Sequence, residues 1–235
     1  PAVDRDRLYI VWATPEQFIV QALDHDGRRL WRVDLGPYKT GHGFGASPIV
    51  VDDLLIVPNE QEGQSSLVAL RTEDGQVQWK VERQTKTTYT TPCTHVGSDG
   101  RTEVIFTNFE HGITALDAKT GEQRWEKAVF PPEPLDTAIG SPVVANGLVL
   151  ATSGWLGRVT HTVVVELPEG TQKDSREVYR FDRGAPLSTT PLVANGLVFL
   201  WADEGIVTCA DVQTGKTAWQ RRVGGTYYGS PIFAD

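Results

Sequence analysis

Apolar residues in this chain come in short bursts, interrupted every few positions by polar or glycine-containing punctuation. Ser47-Pro48-Ile49-Val50-Val51 runs into Asp52-Asp53 and then Leu54-Leu55-Ile56-Val57. Ser141-Pro142-Val143-Val144-Ala145 runs into Asn146-Gly147 and then Leu148-Val149-Leu150. Thr190-Pro191-Leu192-Val193-Ala194-Asn195-Gly196-Leu197-Val198-Phe199 repeats the pattern. Bursts of this length flanking Asn-Gly predict two strands joined by a tight hairpin. Proline is tolerated at the head of the first strand, because that residue need not donate to a ladder. No stretch carries a helical period of useful length.

A second phrase interleaves with the first. Gln21-Ala22-Leu23-Asp24 leads through Gly27 to Trp31, Val68-Ala69-Leu70 through Gly75 to Trp79, and Thr114-Ala115-Leu116-Asp117 through Gly121 to Trp125. Thr208-Cys209-Ala210-Asp211 leads through Gly215 to Trp219. The copy opening at Val163-Val164-Val165 has drifted: an insertion rich in Pro, Gly, Lys and Asp follows, and Tyr179 stands where Trp is expected. The Ser/Thr-Pro prolines at 48, 92, 142, 191 and 231 are 44, 50, 49 and 40 residues apart, in or near the period of four-stranded propeller blades. Each unit therefore reads as strands A to D, with a hairpin between A and B and a glycine turn between C and D. Five units are expected, at about 1–36, 46–82, 90–129, 140–182 and 189–223, followed by the first strand of a sixth at 229–235. A chain cut within a repeat and lacking any Met is read as a segment of a longer parent, or as a sequence from which modified methionines are missing.

At 235 residues and 40% hydrophobic content, the chain can bury a large core. The longest apolar runs fall far short of the ~20 residues of a membrane-spanning helix, so no insertion into a bilayer is expected. A net charge of -8 with scattered Lys and Arg argues against a nucleic-acid partner. Cys93 and Cys209 lack metal-ligand spacing and read as small buried hydrophobes.

The phrase Ala-x-Asp-x-x-Thr-Gly-x-x-x-Trp, kept at Ala115 to Trp125 and shifted by one residue at Cys209 to Trp219, resembles the tryptophan-docking motif of pyrroloquinoline-quinone (PQQ) type β-propellers. With its Ser/Thr-Pro companion the resemblance covers essentially the whole chain. It implies an all-β propeller of four-stranded antiparallel blades, from a parent of seven or eight. Trp31, Trp79, Trp125 and Trp219, with Tyr179 in the drifted unit, then serve as structural docking residues. Each indole is expected to lie flat in the seam between blades against the small Ala of a neighbouring strand C, with Gly permitting the turn that aims it. Burying one such ring is worth up to roughly 4–6 kcal/mol.

Antiparallel pairing puts the A–B and C–D turns on one face and the longer B–C and D–A loops on the other, where function is expected. The candidate partner-binding residues there are His42, Phe44, Tyr89, Glu110, His111, Trp155, Arg158, Asp203, Glu204, Tyr227 and Tyr228, a mixture of aromatic, charged and polar side chains suited to holding a protein or peptide. No nucleophile elbow, nucleotide loop or zinc spacing is present. The resemblance admits three functions. One is a non-enzymatic scaffold similar to the lipoprotein of the outer-membrane β-barrel assembly machinery, and another is an extracytoplasmic sensor domain of a bacterial serine/threonine kinase. The third is a fragment of a quinoprotein alcohol or sugar dehydrogenase. Only the last would need PQQ and Ca²⁺, and although Asn59, Asn108, Glu110 and Asp203 are oxygen ligands by type, they match no pattern; the adjacent cysteines common in those enzymes are missing. The expectation is a protein-binding propeller in the periplasm or another extracytoplasmic space, with no cofactor and no metal.

Overall fold

The structure, a computed structural model, describes residues 1–132, 137–155, 159–168 and 174–234. Twenty strands form five sheets of four, each antiparallel and ordered as in the sequence. The first sheet holds β1 (Ala2–Val3), β2 (Leu8–Ala13), β3 (Phe18–Leu23) and β4 (Arg29–Asp34). The second holds β5 (Ile49–Val51), β6 (Leu54–Asn59), β7 (Ser65–Arg71) and β8 (Val77–Arg83), and the third β9 (Cys93–Val96), β10 (Thr102–Asn108), β11 (Gly112–Asp117) and β12 (Gln123–Lys127). The fourth holds β13 (Val143–Ala145), β14 (Leu148–Gly154), β15 (Thr160–Glu166) and β16 (Glu177–Phe181); the fifth holds β17 (Leu192–Ala194), β18 (Leu197–Trp201), β19 (Ile206–Asp211) and β20 (Thr217–Arg222). The first strands converge, β1 touching β5 and β13 touching both β9 and β17, which gives the radial arrangement of a propeller. The hairpin residues Asp52, Asn146 and Asn195 sit at φ of 51–53°, the left-handed region their short polar side chains tolerate.

The core lies in the seams. One face of β6 and β7 packs on the first sheet through Leu55, Val57, Val68 and Leu70, and the other packs on the third through Leu54, Ile56, Leu67 and Ala69. Alternation along a strand thus feeds two seams at once, which is why the middle strands read as continuous apolar runs.

Every sheet carries a bulge at the same place. Trp31, Trp79, Trp125, Tyr179 and Trp219 lie opposite Ala22, Ala69, Ala115, Val164 and Cys209, and the register slips by one residue immediately afterwards. The extra residue on the outer strand raises its twist and turns the aromatic ring toward the next sheet. There the Trp31 Nε1–H donates to Thr72 O at 2.9 Å, the Trp79 Nε1–H to Ala118 O at 2.9 Å, and the Tyr179 hydroxyl to Val212 O at 2.7 Å. Each acceptor stands three residues before the turn glycine of the following sheet.

The small residue that receives the ring is this glycine. Alanine was expected in that role, but it faces the ring across its own sheet. A Cβ on Gly75, Gly121 or Gly215 would come within 2.5–2.7 Å of the docked aromatic, and φ there is 69–73°. Glycine is required twice over, by backbone conformation and by close approach. Trp31, Trp79 and Trp125 are 9, 7 and 4% exposed. Trp125 uses a different partner, the Glu103 carboxylate of its own sheet at 3.2 Å, since the next sheet carries the drifted C–D connection. Trp219 departs from the expected seam position: it is 42% exposed, because no sheet with a glycine turn follows it among the described residues.

The Ser/Thr-Pro phrase has its own partner. Ser47 N–H donates to Thr91 Oγ1, Thr91 N–H to Ser141 Oγ, Ser141 N–H to Thr190 Oγ1 and Thr190 N–H to Ser230 Oγ, at 2.9–3.1 Å. A relay of hydroxyls so joins the head of each inner strand to the next. Residues 229–234, expected to open a sixth unit, hold Ser230 in this relay but form no strand, and among the described residues no strand pairs with them.

Candidate binding face

The B–C and D–A loops crowd together and satisfy one another's backbone groups, as buried loop backbone must. Lys39 N–H donates to Gln61 Oε1, Tyr89 N–H to Ala138 O, the Thr137 hydroxyl to Thr87 O and Gly140 N–H to Leu187 O. The result is a knitted rim.

Several candidates from the sequence belong to the knitting. Asp203 is buried, and its carboxylate accepts Leu187 N–H at 2.7 Å and Ser188 N–H at 3.2 Å, so it holds a loop and is closed to a partner. The Phe44 ring packs edge-on against Phe18 at 4.9 Å and Tyr38 at 5.8 Å, extending the first seam's core. The half-buried Tyr89 ring lies over Gly45, with 2.9 Å between its Cδ1 and the place a Cβ would take. Tyr227 packs edge-on against Trp201 at 5.2 Å, and its N–H donates to Asp203 O. His42, Glu204 and Tyr228 are exposed, Trp155 is half-buried, and Arg158 lies outside the described residues.

The third sheet brings Glu110 and His111 together with Asn108 and with groups that carried no expectation, Gln84, Thr85 and Glu126. Thr85 Oγ1 lies 2.7 Å from Asn108 Oδ1 and 2.8 Å from Glu110 Oε2, and Glu110 N–H donates to Asn108 Oδ1. His111 turns both ring nitrogens toward acceptors, Nδ1 3.4 Å from Glu126 Oε1 and Nε2 3.2 Å from Gln84 O. Half-buried Phe109 stacks on Phe130 at 6.3 Å beside them. Beneath this surface, Arg83 Nη1 donates to Thr114 Oγ1 at 3.1 Å and reaches Glu126 Oε2 at 3.3 Å, while Arg83 Nε stands 3.3 Å from Glu60 Oε1. A string of ionisable groups, Glu60–Arg83–Glu126–His111, thus crosses the seam between the second and third sheets. Glu60 is 1% exposed; burial pushes its carboxyl up to about 7 against the opposing pull of Arg83. Nothing in the repeat phrases pointed to these residues; the sequence signal was a Glu directly after the apolar run of β6 and an Arg closing β8.

On the opposite face, a cleft of about 680 Å³ lies between the turns of the second and third sheets, with Asp52, Asp53, Arg101, Asp117 and Lys119 on its walls. No expectation was attached to it, because function was assigned to the loop face.

The oxygen donors considered for Ca²⁺ do not converge. Asn59 Oδ1 accepts from Gln61 Nε2, Asn108 and Glu110 share Thr85, and Asp203 holds residues 187–188. Among the described residues no group of three or more His, Cys, Asp or Glu could hold a metal ion. Cys93 and Cys209 lie in different sheets, and burial pushes the Cys93 thiol up to about 12. The residues present therefore do not fit a PQQ–Ca²⁺ centre. No helix among the described residues is long and apolar enough to cross a membrane.

A family model described as the outer membrane protein assembly factor BamB matches residues 1–221. The chain is 27% identical over 223 residues to BamB of Yersinia pestis, which covers 91% of this chain and 54% of that protein. It spans about half the length of the curated relatives it matches. Among solved structures, BamB from Moraxella catarrhalis superposes with a TM-score of 0.71 at 18% identity, over 96% of this chain and 64% of that one. A europium-containing methanol dehydrogenase superposes with a TM-score of 0.68 at 15% identity, over 98% and 62%. At these identities the structural likeness speaks for the fold alone.

Proposed function

This chain belongs to the family of the outer membrane protein assembly factor BamB, and on that premise we propose that it acts as a non-enzymatic, protein-binding propeller segment at the bacterial cell envelope, in the periplasm. The family match over residues 1–221 carries this reading. The scattered oxygen donors support it, since the fold is shared with a methanol dehydrogenase whereas a PQQ–Ca²⁺ centre finds no fit here. Completion by further blades of a seven- or eight-bladed parent is part of the same proposal.

The contact surface is placed on the loop face of the third sheet, around Phe109, Glu110, His111 and Phe130. An exposed carboxylate and a half-buried stacked aromatic pair sit there on a rim fixed by hydrogen bonds, so a partner need not order them. Photo-crosslinking amino acids at positions 109 and 111, and at Asp26 and Lys119 on the turn face, test this in cells. Crosslinks to an outer-membrane assembly component from 109 and 111 alone are expected. Crosslinks from the turn face only, or alcohol-dependent dye reduction by the purified protein with added PQQ and Ca²⁺, would overturn it.

A further inference from the structure

The seam between the second and third sheets holds a cation shared by two carboxylates. Arg83, itself buried, stands 3.3 Å from the buried Glu60 and 3.3 Å from Glu126, whose side chain keeps 29% of its surface in solvent. Both Glu60 oxygens, Arg83 Nε and Nη2, and Asn108 Nδ2 are buried without a hydrogen-bond partner, although Asn108 is turned toward Glu60. A fully ionised carboxylate in such a place is costly unless paired and hydrogen-bonded. Other polar groups surround it. Tyr38 directs its hydroxyl to Glu60 O, Glu110 adds negative charge, Lys86 lies on the adjoining loop with its N–H toward Glu110, and His111 is engaged with Glu126 and Gln84 O.

We infer that this seam is a proton-operated latch: Glu60 holds a proton while the two sheets are closed on each other, leaving Arg83 paired one-to-one with Glu126, and releases it to solvent as the seam loosens. The loop carrying Glu110 and His111 moves with it, because Asn108 is tied to that loop through Glu110 N–H and Thr85. Burial pushes the Glu60 carboxyl up to about 7, which places the transition near neutrality. The sign follows from a folded-state value above the unfolded one: stabilisation is complete below about 4.5 and is lost as pH rises through about 7. The latch holds whichever partner the loop face takes.

Carboxyl-carbon NMR on protein labelled with ¹³C-glutamate tests the latch, over roughly pH 4 to 9. One glutamate is expected to titrate with a midpoint of about 7 and to disappear in Glu60→Gln. The amides of residues 84–86 and 108–111 should shift with the same midpoint in the wild type and in His111→Asn alike. If Glu60→Gln does not fold, the carbon is assigned through its own side-chain correlations in the wild type. The latch is overturned if all glutamates titrate below about pH 5.5, or if Glu60 titrates near neutrality while those amides stay still. It is equally overturned if the amide shifts vanish in His111→Asn, which would make them the imidazole's own.

Discussion

Gly121 and Trp79 form a single unit across a seam, and neither explains itself alone. The indole is flat enough to fill the gap only because no Cβ stands at 121, and its N–H is satisfied only because the same turn offers the Ala118 carbonyl. Trp79→Ala should therefore cost ~3–5 kcal/mol in a denaturant titration, a large-to-small penalty in a packed site. Trp219→Ala in the same chain should cost about 1 kcal/mol or less, since its ring is 42% exposed and faces no glycine turn. Equal losses at the two positions would mean that docking is not what buries Trp79. The sequence showed that Gly and Trp recur together, but placed the ring on Ala; spacing cannot tell which sheet a turn faces, whereas register and the bulge can.

Among the elements, the four-stranded unit was legible because its two phrases repeat, and repetition survives drift at single positions. The hairpin residues and prolines marked the inner strands to within a residue or so: β5, β9, β13 and β17 each start directly after their proline. The candidate surface was less legible. Phe44 and Asp203 look like recognition residues in a list of loop side chains, yet one fills a hydrophobic gap and the other pins two backbone N–H groups. Glu60 and Arg83 were not singled out, because a contact between a residue just past the end of β6 and the last residue of β8 leaves no periodic trace. The inner-strand hydroxyls give an element-scale prediction. Ser141→Ala leaves Thr91 N–H without its acceptor and should cost about 1 kcal/mol. Hydrogen exchange should show the Thr91 amide losing protection ahead of β9.

For the whole molecule, stability is close to a sum over sheets and the seams between neighbours. Removing everything after Pro186 takes away the Val212 carbonyl from Tyr179, the Thr190 hydroxyl from Ser141 and the Leu187 carbonyl from Gly140. The fourth sheet should then exchange its amides rapidly while the second and third keep their protection. Loss of protection in all sheets together would show one cooperative unit instead. Both contacts run the same way along the chain: the rings of Trp31, Trp79 and Tyr179 and each capped inner strand rely on atoms that come later in sequence. The hydroxyls are encoded 44, 50, 49 and 40 residues downstream of the amides they serve. A unit leaving the ribosome is therefore incomplete until its successor has been translated, and the nascent protein always carries one unfinished sheet at its growing end.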